Sequence, residues 1–267
     1  MKSIWVAGDF FHDEYNIGSY VGKGCRFNVE ETIIVEGGAG NTAENLTAIC
    51  SNTPEILCFR AGFSQPKVLK RWIENGSTIL ETWIINKGVN QPWLIWNQFG
   101  RKPPVRNTFM TLIVSEYNKG FNAQSTPVGY ADLLVLDSRY RTADSAALTA
   151  MATTSVWRCT ASEYDEEYAQ NFDWIVHTSH EGVIKCGKVA ELKLPNCAWT
   201  QIPPAIEVVD PCGAGDTFTA ALAASLTKQG KVTYKSMWHA VDFAVRAAQN
   251  VCKKPYTAVT DVKLESI

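Results

Sequence analysis

The chain has 267 residues, 46% of them hydrophobic, and a formal net charge of −2. This length fits one large α/β domain or one domain with a small appendage. The two signs of charge are mixed, which disfavours nucleic acid and membranes as partners. No apolar run reaches membrane-spanning length, and the early Asp9 disfavours a signal peptide. We therefore expect a cytoplasmic protein.

The cysteines and histidines do not indicate a metal site or a disulfide framework. The eight cysteines contain no C-x-x-C pair, and most lie in apolar stretches. This pattern predicts buried free thiols in a reducing compartment. The four histidines have no metal-ligand spacing, so no zinc site is predicted.

The first half of the chain predicts mainly short strands. Apolar and β-branched runs indicate strands at 3–7, 31–35, 55–59, 78–85, 93–96 and 108–114. Residues 10–24 contain three glycines and predict a loop or short ribbon. Helices are predicted at 41–51, after a glycine turn at 37–40, and at 66–75, where Asn75-Gly76 indicates a helix end.

The second half alternates strands with helices. Strands are predicted at 131–136, 155–159, 174–177 and 205–209, with a hairpin at 182–194. Helices are predicted at 143–151, 162–170, 217–229 and 234–250. This alternation is typical of an α/β protein whose mostly parallel central sheet is covered by helices on both faces.

Acidic residues follow several of the predicted strands. Asp9, Asp137 and Asp216 come directly after strands, and Glu163 lies a few residues beyond one. Ligands of open α/β sheets bind outside the carboxyl ends of the strands. The pattern therefore indicates metal–phosphate chemistry on a hydroxylated substrate. The alternative is that acidic residues end strands because loops are solvated.

The stretch from Val209 to Phe218 predicts a strand, a glycine turn and a helix. Gly213, Ala214 and Gly215 would present backbone N–H groups at the positive end of the helix dipole, which suits an anion such as phosphate. Asp216 repels phosphate, so we interpret it as a base that takes a proton from an attacking hydroxyl. An equally simple interpretation is that Asp216 only caps the helix.

Three other motifs were considered. Residues 38–43 match the dinucleotide fingerprint G-x-G-x-x-A, so an NADP-dependent oxidoreductase is an alternative. Residues 182–189 resemble a P-loop but end at Val189, which has no hydroxyl for Mg²⁺, and they continue as a strand. Cys212 is interpreted as a small filler residue and not as a nucleophile, because no partner histidine is identifiable.

Two motifs together carry a family resemblance. Residues Val35 to Ala43 resemble the amino-terminal G-G-x-x-N-x-A signature of the ribokinase-like (PfkB) carbohydrate kinases, and Val209 to Thr217 resemble their carboxy-terminal D-T-x-G-A-G-D-T signature. Within that family the chain looks most like the heptose-7-phosphate kinase domain of ADP-heptose synthesis. That similarity rests on short matches at 8–15, 115–120 and 136–139.

The resemblance implies roles for individual residues. Asp216 matches the catalytic base, and Gly213, Ala214 and Gly215 match the anion hole for the transferring phosphoryl group. Sugar-contacting positions match Asp9, Asp13, Gly38 and Asn41. Nucleotide-binding positions match Thr160, Glu163, His177, Gly182 and Thr257, with Glu163 holding Mg²⁺ through water. Thr160 departs from the family pattern, which has asparagine there.

The implied protein is a single ribokinase-like kinase domain spanning 1–267, with a reduced β lid from about 10–36 and 78–110. It would use ATP and Mg²⁺, with a monovalent cation as an option, to phosphorylate a sugar or sugar phosphate. Dimerisation through the lid is a further implication. A non-catalytic nucleotide- or sugar-binding relative, and a ribokinase-like or nucleoside kinase, are the alternatives.

Overall fold

The computed structural model describes residues 1–21, 26–61, 67–75, 77–85, 109–117, 121, 131–139, 141, 145–178, 184–188, 199–201 and 203–264. Within these ranges the protein forms two sheets and five helices. No helix in them is long and apolar enough to cross a membrane.

The larger sheet has eight strands: β1 (Lys2–Gly8), β4 (Ile56–Ala61), β7 (Phe109–Glu116), β8 (Ala131–Ser138), β9 (Ala152–Thr160), β10 (Trp174–Thr178), β11 (Ile184–Lys188) and β12 (Trp199–Gln201). Their spatial order is β12-β11-β10-β9-β8-β7-β1-β4. The pairs from β4 to β10 are parallel, and β11 and β12 add an antiparallel edge. The predicted mostly parallel sheet is confirmed.

Helices cover both faces of this sheet, as expected. Three long helices pack on one face: α1 (Ala39–Cys50), α4 (Ala214–Gln229) and α5 (Tyr234–Cys252). Two short helices, α2 (Ser145–Thr149) and α3 (Glu166–Ala169), contribute to the core on the other face, around Trp157. Helix α4 packs closely because its inner positions are alanines with no exposed surface, which lets the backbone approach the strands.

The second sheet forms a lid at the carboxyl ends of the parallel strands. It has four strands, β2 (Phe10–Tyr20), β3 (Phe27–Gly38), β5 (Lys67–Glu74) and β6 (Ser77–Ile85), in the order β3-β2-β5-β6. The lid is larger than the reduced sheet expected from 10–36 and 78–110, because residues 67–74 join it. Residues 86–108, including the predicted strand 93–96, lie outside the described residues.

The helix predicted at 66–75 is wrong, because residues 67–74 are strand β5. Leu69 and Ile73 are buried, and Arg71 lies between them on the same face of the strand. Because Arg71 stands where an apolar residue would be expected, the sequence of β5 does not alternate apolar and polar residues as a strand usually does. Asn75, with φ 50°, follows β5, which pairs with the antiparallel β6, so Asn75 lies in a turn between strands and not at a helix end.

Other boundaries also needed correction. Residues 10–24, predicted as a loop or short ribbon, contain the long strand β2, and the turn predicted at 37–40 is divided between the end of β3 and the start of α1. The helix predicted at 162–170 is helical only at 166–169. The strand predicted at 205–209 is absent, and Val208 and Val209 are exposed there. The Val209 N–H instead donates to the carbonyl of Cys252 at the end of α5, at 2.8 Å.

Candidate active site

The glycine turn before α4 has the geometry that the sequence predicts. Gly213 caps the helix in the left-handed region, with φ 79°. The carboxylate of Asp210 braces the turn, since it accepts hydrogen bonds from the Cys212 N–H at 2.8 Å and the Tyr256 N–H at 3.0 Å. The N–H groups in the first turn of a helix have no helical carbonyl partner. The turn therefore directs positive potential into the space in front of it.

Asp216 lies in the first turn of α4 and is 6% exposed. It does not cap the helix, because Gly213 does so without a side-chain bond. Its Oδ2 accepts a hydrogen bond from Asn41 Nδ2 at 3.0 Å, and its Oδ1 accepts one from Tyr117 Oη at 2.5 Å. Burial raises the pKa of Asp216 from 3.8 to about 7, against the opposing effect of these two hydrogen bonds. A carboxyl group with this pKa can take and return a proton near neutral pH.

Asn41, which donates to the carboxylate of Asp216, is itself held in place by hydrogen bonds. Asn41, on α1, accepts a hydrogen bond from Asn45 Nδ2 at 2.8 Å through its Oδ1. Asn45 in turn accepts a bond from the Thr260 N–H at 2.9 Å. Gly38 precedes α1 with φ 54°, and a Cβ there would lie 2.4 Å from the ring of Phe11. The amino-terminal motif thus positions Asn41 against the carboxy-terminal motif.

The strand ends line up as expected along one edge of the sheet. The register places Gly8 beside Ser115, Ser115 beside Asp137, and Asp137 beside Arg158. Asp137 accepts a hydrogen bond from Thr219 Oγ1 of α4 at 2.7 Å and pairs with Arg158 Nη1 at 3.3 Å. Burial lowers the pKa of Arg158, but Asp137 and Glu163 raise it more, so the guanidinium stays charged.

Asp9 does not face the cavity as a sugar-contacting residue would. It is 1% exposed, and its carboxylate accepts hydrogen bonds from the Tyr117 N–H at 2.8 Å and the Phe121 N–H at 2.9 Å. It therefore holds the backbone that follows β7, and with it the phenol that contacts Asp216. Its contact with a sugar stays a prediction.

Thr160 and Glu163 form a closed turn after β9. Glu163 Oε2 accepts a hydrogen bond from the Thr160 N–H at 2.8 Å, and Arg139 Nε lies 3.7 Å from Glu163 Oε1. Within the described residues, no group of three or more His, Cys, Asp or Glu side chains could hold a metal ion alone.

Of the other three residues predicted to bind nucleotide, the structure describes two, His177 and Thr257. His177 lies on β10, and its ring packs edge-to-face on Tyr164 with centroids 5.9 Å apart. Gly182 lies outside the described residues. Thr257 was expected near the nucleotide base, but its hydroxyl donates to Asp13 Oδ2 at 3.0 Å, on the lid side.

The lid contributes a charged cluster of its own. Asp13 on β2 pairs with Arg71 Nη1 on β5 at 2.9 Å, and Arg71 Nε also contacts Glu81 at 2.8 Å. Tyr15 Oη lies 2.7 Å from Thr257 Oγ1, which joins the lid to the carboxy-terminal loop. Burial raises the pKa of Asp13, and the charge on Arg71 offsets part of that rise.

These groups meet around one cavity of about 490 Å³. Its described lining comprises Phe11, Asp13, Gly38, Leu69, Arg71, Glu81, Tyr117, Asp137, Arg139, Arg158, Thr160, Glu163, Pro211, Cys212, Gly213, Gly215, Asp216 and Thr257. The structure therefore brings together most of the predicted residues from five separate parts of the sequence.

Several lining residues have no predicted role from the sequence, among them Tyr117, Arg71 and Arg158. Tyr117 lies in the motif at 115–120, but only the fold shows that its phenol donates a hydrogen bond to Asp216. Arg71 was assigned to a helix. Arg158 sits inside a buried strand, Val156 to Cys159, where a charged residue is unusual and could have been noticed.

The structure disagrees with a dinucleotide site at residues 38–43. The strand before residues 38–43 is β3, which belongs to the lid and not to the parallel sheet, so the βαβ unit of a dinucleotide site is absent. A Cβ on Gly40 would lie 2.2 Å from Glu36 Oε2, so a carboxylate occupies the space a pyrophosphate needs. Residues 184–188 form a strand and not a P-loop helix. Burial raises the pKa of Cys212 to about 12, which fits a filler residue.

Comparison with known protein families gives one match. A family model described as pfkB family carbohydrate kinase matches residues 144–263, which include α4. No curated protein matches the chain.

Solved structures resemble the chain along almost all of its length. Ribokinase from Thermotoga maritima is 14% identical with a TM-score of 0.62, and the match covers 97% of this chain and 96% of that one. Phosphofructokinase-2 from Escherichia coli, in complex with substrates and products, is 11% identical with a TM-score of 0.63 over 97% and 95%. A nucleoside kinase from Methanocaldococcus jannaschii, an archaeal member of the ribokinase family, is 13% identical with a TM-score of 0.60 over 98% and 95%.

The fold is therefore ribokinase-like: a central, mostly parallel sheet between helices, with a lid sheet at the carboxyl ends of the strands. The named proteins that share it are kinases.

Proposed function

We propose that the protein is a member of the PfkB family that transfers the γ-phosphoryl group of ATP to a hydroxyl of a sugar or related acceptor. One observation carries the proposal: Asp216, with a pKa of about 7, lies in the cavity directly beside the Gly213–Gly215 turn. A base and an anion-stabilising turn at adjacent positions are the two groups that transfer to a hydroxyl requires.

In the proposed reaction, the acceptor oxygen forms a bond to the γ-phosphorus while the bond from that phosphorus to the β-phosphate oxygen breaks. Asp216 accepts the hydroxyl proton, and Asn41 holds the carboxylate in the required orientation. The N–H groups of the turn stabilise the charge on the transferring group. The lid excludes water, so that transfer to water does not compete.

Magnesium fits the donor set without a dedicated protein cage. Glu163 would hold it through water, and Arg139 would lie beside the same phosphates. Bound Mg²⁺ supplies charge neutralisation between the β- and γ-phosphates.

The best match for the acceptor is heptose 7-phosphate, because of the motifs at 8–15, 115–120 and 136–139. A phosphorylated acceptor needs a cation on the lid side, and Arg71 is the described arginine there. Arg71 already pairs with Asp13 and Glu81, which leaves less of its positive charge for a phosphate of the acceptor. A neutral sugar or a nucleoside, as for a ribokinase-like or nucleoside kinase, is therefore the second candidate acceptor.

The decisive experiment is a measurement of ADP release from Mg-ATP across a panel of heptose 7-phosphate, ribose, fructose phosphates and nucleosides. We expect turnover on one member of the panel. Asp216→Asn keeps the size of the side chain and removes the base, so turnover should fall by at least about 10²-fold while ATP binding persists. Asp242→Asn, on the exposed side of α5, is the control and should behave as the wild type.

Near-normal turnover in Asp216→Asn would contradict the assigned base. If the wild type binds ATP and turns over no acceptor, the protein is a non-catalytic relative, for which Thr160 at the family's asparagine position would be the first substitution to reverse.

A further inference from the structure

The side chain of Arg158 projects from β9 into the space in front of α4. Its guanidinium lies against Gly215, so closely that a Cβ on Gly215 would be 3.1 Å from Nη2 and 3.3 Å from Nη1. The arginine side chain is 12% exposed and lines the same cavity as Asp216. Gly215 is thus needed at this position because the guanidinium occupies the space of a side chain.

The position of this guanidinium is electrostatically unusual. Cations are stabilising at the carboxyl end of a helix and unfavourable at its amino end. Arg158 nevertheless packs on the first turn of the 16-residue helix α4. Asp137 offsets part of this repulsion from 3.3 Å. The turn and the guanidinium both direct positive potential into the same cavity, and this potential favours a bound anion there.

The hydrogen bonds of Arg158 are incomplete. Nη1 reaches Asp137, and Nη2 reaches Thr178 Oγ1 at a long 3.4 Å. Nε is buried and has no acceptor among the residues that the structure describes. A buried donor without an acceptor is costly, and a ligand oxygen would remove that cost.

Arg158 is also held from behind. Asp137 pairs with Nη1, and Thr219 on α4 donates to the other oxygen of Asp137 at 2.7 Å. The arginine, the aspartate and the helix therefore form one rigid unit. A guanidinium held this way is positioned before the phosphate arrives, which is the condition for electrostatic stabilisation of a transition state.

We propose that Arg158 is a catalytic residue that contacts the γ-phosphoryl group as it passes from ATP to the acceptor, with Asp137 as its positioning residue. This inference rests on the proposed function and names the side-chain cation of the same anion site. The backbone amides of the turn and the guanidinium share the charge of the transferring group. Bond formation and proton transfer are as described for Asp216.

The test uses Arg158→Gln and Arg158→Lys in the full chain, with Arg246→Gln on the exposed face of α5 as the control. Affinities for ATP and ADP are measured by tryptophan fluorescence, turnover by ADP release, and folding by thermal unfolding. We expect Arg158→Gln to lose at least about 10²-fold in kcat, the scale of one lost oxyanion donor. It should also bind ATP about 10-fold more weakly while its ADP affinity stays unchanged, because only ATP carries the γ-phosphate.

Arg158→Lys keeps the charge, so it should retain the preference for ATP over ADP and recover part of kcat. This variant also serves if Arg158→Gln does not fold. A lowered melting temperature with an unchanged ATP:ADP affinity ratio in both variants would show a structural role and overturn the proposal.

The result separates this proposal from the kinase assignment. If Asp216→Asn abolishes turnover and Arg158→Gln does not change it, the kinase stands and the role of Arg158 is wrong. If the wild type turns over no acceptor and Arg158→Gln still removes a preference for ATP over ADP, the assigned γ-phosphate contact stands without the kinase.

Discussion

At the scale of single residues, Asp216 combines two requirements that oppose each other. A base must be ionised to accept a proton, whereas burial favours its neutral form. The hydrogen bonds from Asn41 and Tyr117 lower the pKa again, and the balance lies at about 7. In the proposed reaction, the environment of this one carboxyl group would therefore set the pH range of turnover.

Turnover should depend on pH through Asp216. Because the base acts only when ionised, we expect kcat to decrease as the pH falls below about 7. Tyr117→Phe removes a hydrogen bond that lowers this pKa, so the midpoint of the acidic limb should move to higher pH. The measurement is kcat against pH for both proteins. An acidic limb at the same pH in both would contradict the contact between Tyr117 and Asp216.

The same pKa predicts how stability depends on pH. A carboxyl group whose pKa rises from 3.8 to about 7 on folding adds stability below pH 4, and that stability is lost as the pH rises through 7. Asp216→Asn removes this loss. We expect its melting temperature to exceed that of the wild type by several degrees at pH 8 and by a smaller margin at pH 5, where the loss of stability is only partly developed. Asp242→Asn, 49% exposed, is the matched control and should show no such trend.

At the scale of secondary-structure elements, the turn before α4 depends on a left-handed glycine. Gly213 has φ 79°, and a Cβ there would lie 2.7 Å from Asn41 Nδ2. Gly213→Ala should therefore destabilise the fold by about 1–3 kcal/mol and also displace Asn41 from the base. We expect both a lower midpoint of urea unfolding and a large loss of turnover.

Gly230 supplies the matched control for that substitution. It ends the same helix with φ 72°, but the nearest atom to a Cβ there is Lys2 Nζ at 3.8 Å. Gly230→Ala imposes similar backbone strain far from the cavity. It should lower stability and leave turnover unchanged, and equal losses of turnover in both variants would contradict the role of the turn.

Strand β5 places a buried charge on the lid. Arg71 is the partner of Asp13, and both side chains are largely buried, with 14% and 6% exposed. Arg71→Met leaves the carboxylate of Asp13 without its partner, which typically costs about 3–5 kcal/mol. Adding Asp13→Asn should restore a large part of that loss. The double-mutant cycle is measured by urea unfolding, and additive effects would show that the pair is not coupled.

At the scale of the whole molecule, two sheets of different construction share one cavity. The central strands β7 and β8 are buried along nearly their full length, whereas β3 is mainly exposed. The lid joins the main domain through polar contacts such as Tyr15 to Thr257 and Glu36 to Arg60.

Hydrogen exchange should reflect this difference. We expect the backbone amides of the lid strands to exchange at least about 10-fold faster than those of β7 and β8, because local opening of a half-exposed sheet costs less free energy than global unfolding. The acceptor that supports turnover should slow exchange in the lid and leave β7 unchanged. Equal protection of both sheets would contradict an independently opening lid. Dimerisation through the lid stays a prediction.

Short-range signals predicted the central sheet well. Continuous apolar runs identified β1, β7, β8, β9 and β10, because strands buried on both faces cannot contain alternating polar residues. The same reasoning failed for the lid. There, β2 carries glycines and charges, and β5 carries a buried arginine, so their patterns depend on partners more than 50 residues away.

The sequence by itself determined the α/β class, the glycine turn and the pairing of two motifs at the ends of the chain. These depend on local rules of backbone conformation and helix dipoles, which act over a few residues. Only the tertiary structure decided that Tyr117 contacts Asp216, that Asp9 accepts a hydrogen bond from the Tyr117 N–H, and that Arg158 packs on Gly215. Each of these contacts joins segments 40 or more residues apart through the register of the parallel sheet, and no local pattern contains that register.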